Sequence, residues 1–196
     1  MRLKPETKPE AQPGLRAAAM WLLLVLFFLS ARTGNAQDIA VPEADAKAAF
    51  LYNFVKFVEW PAKAFPSEST NITVAVFGDD DFAATLSTLL KDKKAHGRSF
   101  SVRKAFTTQE AKDAQVVFIA AGESKRAAQI LDGIKNAPTL TIGESEQFAN
   151  HGGMINFYFE DKQLRFEINV AAAEKANLNI SSKLLRLAKP SKGKGK

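Results

Sequence analysis

Residues 48–61 read AAFLYNFVKFVEWP, a run too long and too aromatic for a strand. Apolar side chains fill Phe50, Leu51, Phe54, Val55, Phe57 and Val58, while Asn53, Lys56 and Glu59 recur every three residues. That spacing draws one narrow polar ridge along a helix buried on its other sides. Pro61 closes the helix at a Trp-Pro corner, because proline disfavours helical geometry in the residue before it.

Beyond this helix the pattern alternates. Ile72–Phe77 reads as a strand ended by Gly78, and the Asp79-Asp80-Asp81 run caps a helix over Phe82–Leu90. Phe100–Phe106 reads as a second strand, and Thr107 or Thr108 caps a short helix to Asp113. Val116–Ile119 is a short apolar run of the kind buried on both faces of a parallel sheet. A helix over Ser124–Lys135, a strand at Thr139–Ile142 and a short helix from Ser145 to Ala149 follow. Repeated β-α units argue for a parallel sheet with helices on both faces.

The end of the chain differs. Met154–Glu160 and Gln163–Asn169 flank a two-residue turn, Asp161-Lys162, and read as a hairpin. Such a turn pairs Phe159 with Leu164, Phe157 with Phe166 and Ile155 with Ile168 on one face. Tyr158 with Arg165 and Asn156 with Glu167 fall on the other. Helices over Val170–Ala176 and Ser181–Ala188 complete the domain, the last packing Leu184, Leu185 and Leu187 on the core. The expected fold is α/β, with a mostly parallel central sheet of about six strands and a C-terminal antiparallel hairpin.

Arg16 precedes an apolar run from Ala17 to Leu29, and Gly34-Asn35-Ala36 places small residues before Gln37. This reads as a signal peptide cleaved after Ala36, giving an exported protein; an uncleaved anchor is the alternative. The run is short of the roughly 20 residues a membrane span needs. Residues 37–189 then form one domain, and 190–196 a basic tail expected to be disordered. Removing the five basic and two acidic residues of Met1–Ala36 from the 27 and 21 of the chain leaves a net charge of +3. Much of that lies in Lys189, Lys192, Lys194 and Lys196, so the folded part is nearly neutral and carries no nucleic-acid footprint. The absence of cysteine removes thiol chemistry and is compatible with export.

Catalytic constellations are missing. His96 and His151 are the only histidines, both beside glycines, and neither stands in a nucleophile motif. No glycine-rich phosphate loop follows the first strand. The three aspartates lack the third-strand acceptor of a phospho-receiver site, since Ile119 leads into Ala120-Ala121-Gly122. The chain is therefore expected to be no enzyme, with no metal and no cofactor.

What remains is binding surface. Asn53, Lys56, Glu59 and Trp60 line a groove or form a solvated stripe; Tyr158 and Arg165 bind a partner or ligand, or belong to an exposed sheet face with one cation–aromatic pair. Asn179 and Ser181 lead into the last helix, where Ser181 or Ser182 caps and an anion could sit. Gly78, Ala120-Ala121-Gly122 and Gly143 would leave room for a ligand outside the carboxyl ends of the strands.

KAAFLYNFVKFVEWP at Lys47–Pro61, with RFEIN and NISSKLLRLAK near the C-terminus, resembles the YfiR/HmsC-like family of bacterial envelope proteins, over roughly residues 47–189. The resemblance implies a non-catalytic periplasmic regulator. It would hold an inner-membrane diguanylate cyclase inactive through the cyclase's periplasmic part, lowering cyclic-di-GMP and biofilm formation. A small-molecule binding module serving a sensor kinase or transporter, with an anionic or aromatic ligand, is the alternative. A homodimer is compatible with either, through the aromatic-rich first helix. Some members of the family carry disulfides; this chain cannot, so redox behaviour does not transfer.

Overall fold

Two strands set the layering. In β2 (Ile72–Phe77) every residue but Thr73 is buried, and all of β5 (Val116–Ile119) is buried. Ile72, Val74, Val76, Val116 and Phe118 point into one core; Ala75, Phe77, Val117 and Ile119 point into the other. Strands with no polar face must be covered on both sides, and the elements around them do so.

A computed structural model describes residues 42–135 and 137–190. The signal-peptide reading and nearly all of the basic tail lie outside them. Helix α1 (Glu43–Phe57) leads into β1 (Val58–Glu59) and a single 3-10 turn, Ala62–Ala64. After β2 come α2 (Asp80–Leu90), the short hairpin β3 (Lys94–Ala95) and β4 (Arg98–Lys104), and α3 (Thr108–Ala111) before β5. Then follow α4 (Ala127–Ile134), β6 (Leu140–Gly143), and the hairpin β7 (Ile155–Glu160) and β8 (Gln163–Ile168). The chain ends in α5 (Val170–Lys175), β9 (Asn179–Ile180), α6 (Ser182–Leu185) and β10 (Lys189–Pro190).

The main sheet has eight strands in the order β10-β8-β7-β6-β5-β2-β4-β3. Pairings from β4 through β7 are parallel, and β7 with β8 is antiparallel. The six long strands are those expected from sequence. The additions, β3 and β10, are two-residue edges with no periodicity to read, and short edge strands limit unwanted pairing. The hairpin register matches the expected one at all five pairs.

Helix α1 buries Ala48, Leu51, Phe54 and Val55, one face of a 3.6-residue repeat. Phe54 is fully buried, with ring centroids 4.8 Å from Phe166, 5.5 Å from Phe157 and 6.0 Å from Phe50. α2 packs on this same core, while α3 and α4 cover the opposite face through Ala111, Ala127, Ile130 and Ile134. Asp79 caps α2 by accepting from the Phe82 N–H at 2.8 Å.

Three local readings are corrected. α1 stops at Phe57, short of Pro61, because Val58 and Glu59 extend to pair with β9 and the Ser181 N–H donates to the Phe57 carbonyl at 2.9 Å. The last helix is a single turn; Leu187 is 73% exposed, since the chain straightens to lay Lys189 and Pro190 beside β8. No helix follows Ser145: the segment turns so that Phe148 enters the core.

Candidate partner surface and ligand cavity

The end of α1 and the approach to α6 meet in a two-stranded ribbon. β1 and β9 pair antiparallel, Val58 with Ile180 and Glu59 with Asn179. Side chains alternate across such a ribbon, so Val58 and Ile180 go into the core and Glu59 and Asn179 face outward. Asn179 Nδ2 donates to Glu59 Oε2 at 3.1 Å. Asn53 and Lys56 are exposed on the last turns of α1, Lys56 over the Tyr52 ring at 5.4 Å. Ser181 accepts from the Lys183 N–H at 3.3 Å and caps α6. The structure thus brings Glu59, Asn179 and Ser181, three of the residues singled out in sequence, to the end of α1 that carries Asn53 and Lys56.

Trp60 has a different job. It is half-buried, and its indole N–H donates to the Gln115 carbonyl at 3.2 Å. The ring stands edge-on to Phe65 and to His96, so it is a corner post between layers and not the wall of a groove. Gln115, which the sequence did not mark, organises this corner. Its side chain is buried, accepts from the Thr73 N–H at 2.9 Å and donates to the Ala64 carbonyl at 2.8 Å. Gln115→Leu leaves these groups buried without partners and is expected to cost about 3 kcal/mol, read as a lower denaturation midpoint.

His96 is likewise structural. Its Nε2–H donates to the Val55 carbonyl at 2.8 Å, tying the β3–β4 turn to α1. Among the described residues no group of three His, Cys, Asp or Glu is placed to hold a metal, and no helix is long and apolar enough to cross a membrane.

Tyr158 and Arg165 stand on the other face of the hairpin from the Phe157–Phe166 pair that meets α1, so they do not join the Glu59–Asn179 surface. Arg165 donates to Gln163 Oε1 at 2.7 Å, and the cation over the Tyr158 ring is Lys189 at 5.5 Å. The aromatic face of α1 is covered by its own chain through Phe157 and Phe166.

The small residues at the carboxyl ends of the strands make room for this chain's own side chains. A β-carbon on Gly78 would lie 2.5 Å from Glu123 Cγ, at a φ of +77° that already favours glycine. One on Gly143 or Gly153 would strike the Phe148 ring, which is fully buried between them. The crevice between β2 and β5, where ligands of such sheets usually bind, is therefore partly filled by Glu123.

Open space lies beside it. A cavity of about 390 Å³ sits at the carboxyl ends of β5 to β7 and under the first turns of α1. Lys47 is held there between Glu43 and Glu144, and Glu144 Oε2 also accepts from the Ala121 N–H at 3.2 Å. Partial burial lowers the Lys47 ammonium, but its bonds to Glu144 and Glu43 outweigh that and leave its pKa above the ordinary 10.5. A raised folded value means the stabilisation is full below the ordinary value and lost as pH rises through the folded one. The stability gap between the native protein and Lys47→Met is therefore expected to hold through neutral pH and close only in strong alkali, checked by denaturation at each pH. A second cavity of about 330 Å³ lies between α4 and α5. Its buried polar groups are already engaged: Thr139 Oγ1 donates to the Ala114 carbonyl, and Thr141 Oγ1 accepts from the Met154 N–H.

No curated protein sequence matches the chain. Among solved structures it is similar to a conserved domain protein of Vibrio cholerae O1 biovar El Tor str. N16961, at 15% identity and a TM-score of 0.52. That match covers 76% of this chain and 60% of the other, and bears on the fold alone. An ABC domain in complex with L-Trp from Streptococcus pneumonia, at 8% identity, a TM-score of 0.49 and coverage of 75% and 59%, is too distant to carry an argument. The model of the YfiR/HmsC-like family matches residues 44–189, from the first turn of α1 to the start of β10. Two segments of that match, 47–61 and 179–189, meet in the Glu59–Asn179 ribbon, and the chain belongs to the YfiR/HmsC-like family, whose members are periplasmic regulators acting through protein–protein contacts.

Proposed function

We propose that this protein is exported to the periplasm and represses an inner-membrane diguanylate cyclase by binding the cyclase's periplasmic part. The observation that carries the reading is the union of the two family-typical segments. They are hydrogen-bonded to each other through β1 and β9, and Asn53, Lys56, Glu59 and Asn179 are exposed around that joint. Two segments distant in sequence, paired side by side, present a partner with one composite face. Tyr158 and Arg165 lie on another face and have no part in this contact.

The test is intracellular cyclic-di-GMP in a deletion strain. Its level is expected to rise on deletion and to return when the full chain is supplied. A form lacking residues 1–36 should not restore it. Lys56→Glu with Asn179→Arg should leave the protein folded and exported but raise cyclic-di-GMP towards the deletion level. An unchanged level on deletion would overturn the proposal.

A further inference from the structure

Strand β4 has one paired side and one open side. In a ladder of strands, alternate residues turn their amides to alternate sides. The Ala105 N–H donates to the Val76 carbonyl at 2.8 Å, so Ala105 and, at the same period, Arg103 and Ser101 bond to β2. The N–H and C=O of Val102 and Lys104 therefore face away from β2. β3 is the last strand on that side and pairs only with Arg98 and Ser99. Among the described residues no strand takes up the outward groups of Val102 and Lys104. Such an edge is a template for another strand. Phe106, two residues beyond β4, is 65% exposed.

The charges say what kind of strand fits. Residues 91–104 hold Lys91, Lys93, Lys94, Arg98, Arg103 and Lys104 against one acidic residue, Asp92. Arg103 is paired with Asp113 and Lys104 with Asp80, and Arg98 donates to the carbonyls of Ser67, Glu68 and Thr70. Lys91, Lys93 and Lys94 are exposed and make no ion pair among the described residues. Lys93 lies over the Tyr52 ring at 5.3 Å, and Lys56, also without an ion pair there, lies over the same ring at 5.4 Å. Two like charges drawn to one ring repel each other, and a carboxylate brought up to them relieves that. Lys94 stands opposite Ser99. Phe100 and Val102 pack on the core under α1, so Ser99 and Lys94 belong to the other face of the sheet. Uncompensated positive charge thus flanks this edge on both faces, where the alternating side chains of an added strand would emerge. A lipid surface would use the lysines but not the directed amides; an extended acidic segment uses both.

We propose that the open edge of β4 takes an acidic, extended segment of a partner protein as an added strand. This edge is separate from the β1–β9 ribbon, and its test does not read cyclic-di-GMP.

A capped peptide alternating glutamate with valine is the probe, titrated into the full chain and followed by backbone amide shifts. It is expected to bind saturably, one per chain, with shifts centred on residues 91–106. A lysine–valine peptide should bind about tenfold or more weakly, because like charges across an interface are costly. Lys93→Glu with Lys94→Glu, both at exposed positions, is expected to weaken the glutamate peptide about tenfold and to flatten its salt dependence. Val102→Pro removes an outward N–H that the sheet does not use, and proline is accepted on edge strands. It is expected to abolish binding while the circular dichroism of the native chain is kept. Equal binding of the two peptides, an unchanged affinity in either variant, shifts centred elsewhere, or no binding up to millimolar peptide would each overturn the proposal. So would binding to phosphatidylglycerol vesicles in place of the peptide, undiminished in Val102→Pro.

Discussion

Phe54→Ala is expected to lower the free energy of unfolding by about 4 kcal/mol, within the range seen when a buried phenylalanine is truncated. Its ring is fully buried and meets Phe50, Phe157 and Phe166, one from its own helix and one from each strand of the hairpin. Neighbours belonging to three separate elements cannot collapse together into the vacated space, so most of the cavity would persist. Aromatic pairs also contribute about 0.5–1.5 kcal/mol beyond their buried area, and three would be lost. Denaturant titration followed by far-ultraviolet circular dichroism measures the change. A loss below about 1 kcal/mol would mean the hairpin and α1 repack freely, against the close-packed interior described above.

The second large effect concerns Phe148. Gly143→Ala is expected to destabilise by about 2–3 kcal/mol, as overpacking a filled core does, because the new methyl enters the Phe148 ring. Neither side of the ring offers relief, since Gly153 closes the other face and would clash in the same way. The two residues are therefore strongly coupled. Phe148→Ala should cost about 3–5 kcal/mol alone. Adding Gly143→Ala to it should cost little more, because the object of the clash has gone. Additive losses in the double variant would show that Gly143 matters for its backbone and not for the space it leaves to Phe148.

Much of this fold could be read locally. The alternation at Ile155–Ile168 and the two-residue turn sufficed for the hairpin register, and the Asp79-Asp80-Asp81 run pointed to a cap, which the structure places at Asp79. The unread features share one physical character: each is a contact between residues distant in sequence. α1 ends at Phe57 because a strand 120 residues further on captures Val58 and Glu59, and nothing in AAFLYNFVKFVEWP signals that capture. Gly143 looked like space for a ligand, and Phe148 occupies it. Gln115 sits in an apolar run and joins Ala64, Thr73 and Trp60, none of which its neighbours point to. Of the candidate residues, Glu59 in one motif and Asn179 and Ser181 in the other are brought together by the β1–β9 pairing. The acidic cavity was missed because its residues come from α1, two loops and β7.

The ribbon of β1 and β9 joins residues 120 apart, so it is a long loop closed by very few hydrogen bonds. Closing such a loop has a high entropic cost and little local enthalpy to offset it, so this joint should form late in folding and be the first to open from the native state. Amide exchange at Val58 and Ile180 should then run through a local opening far cheaper than global unfolding. A partner that grips both strands would suppress that opening. Bound protein would resist proteolysis at both strands together, so the lifetime of the chain would report how much of it is engaged.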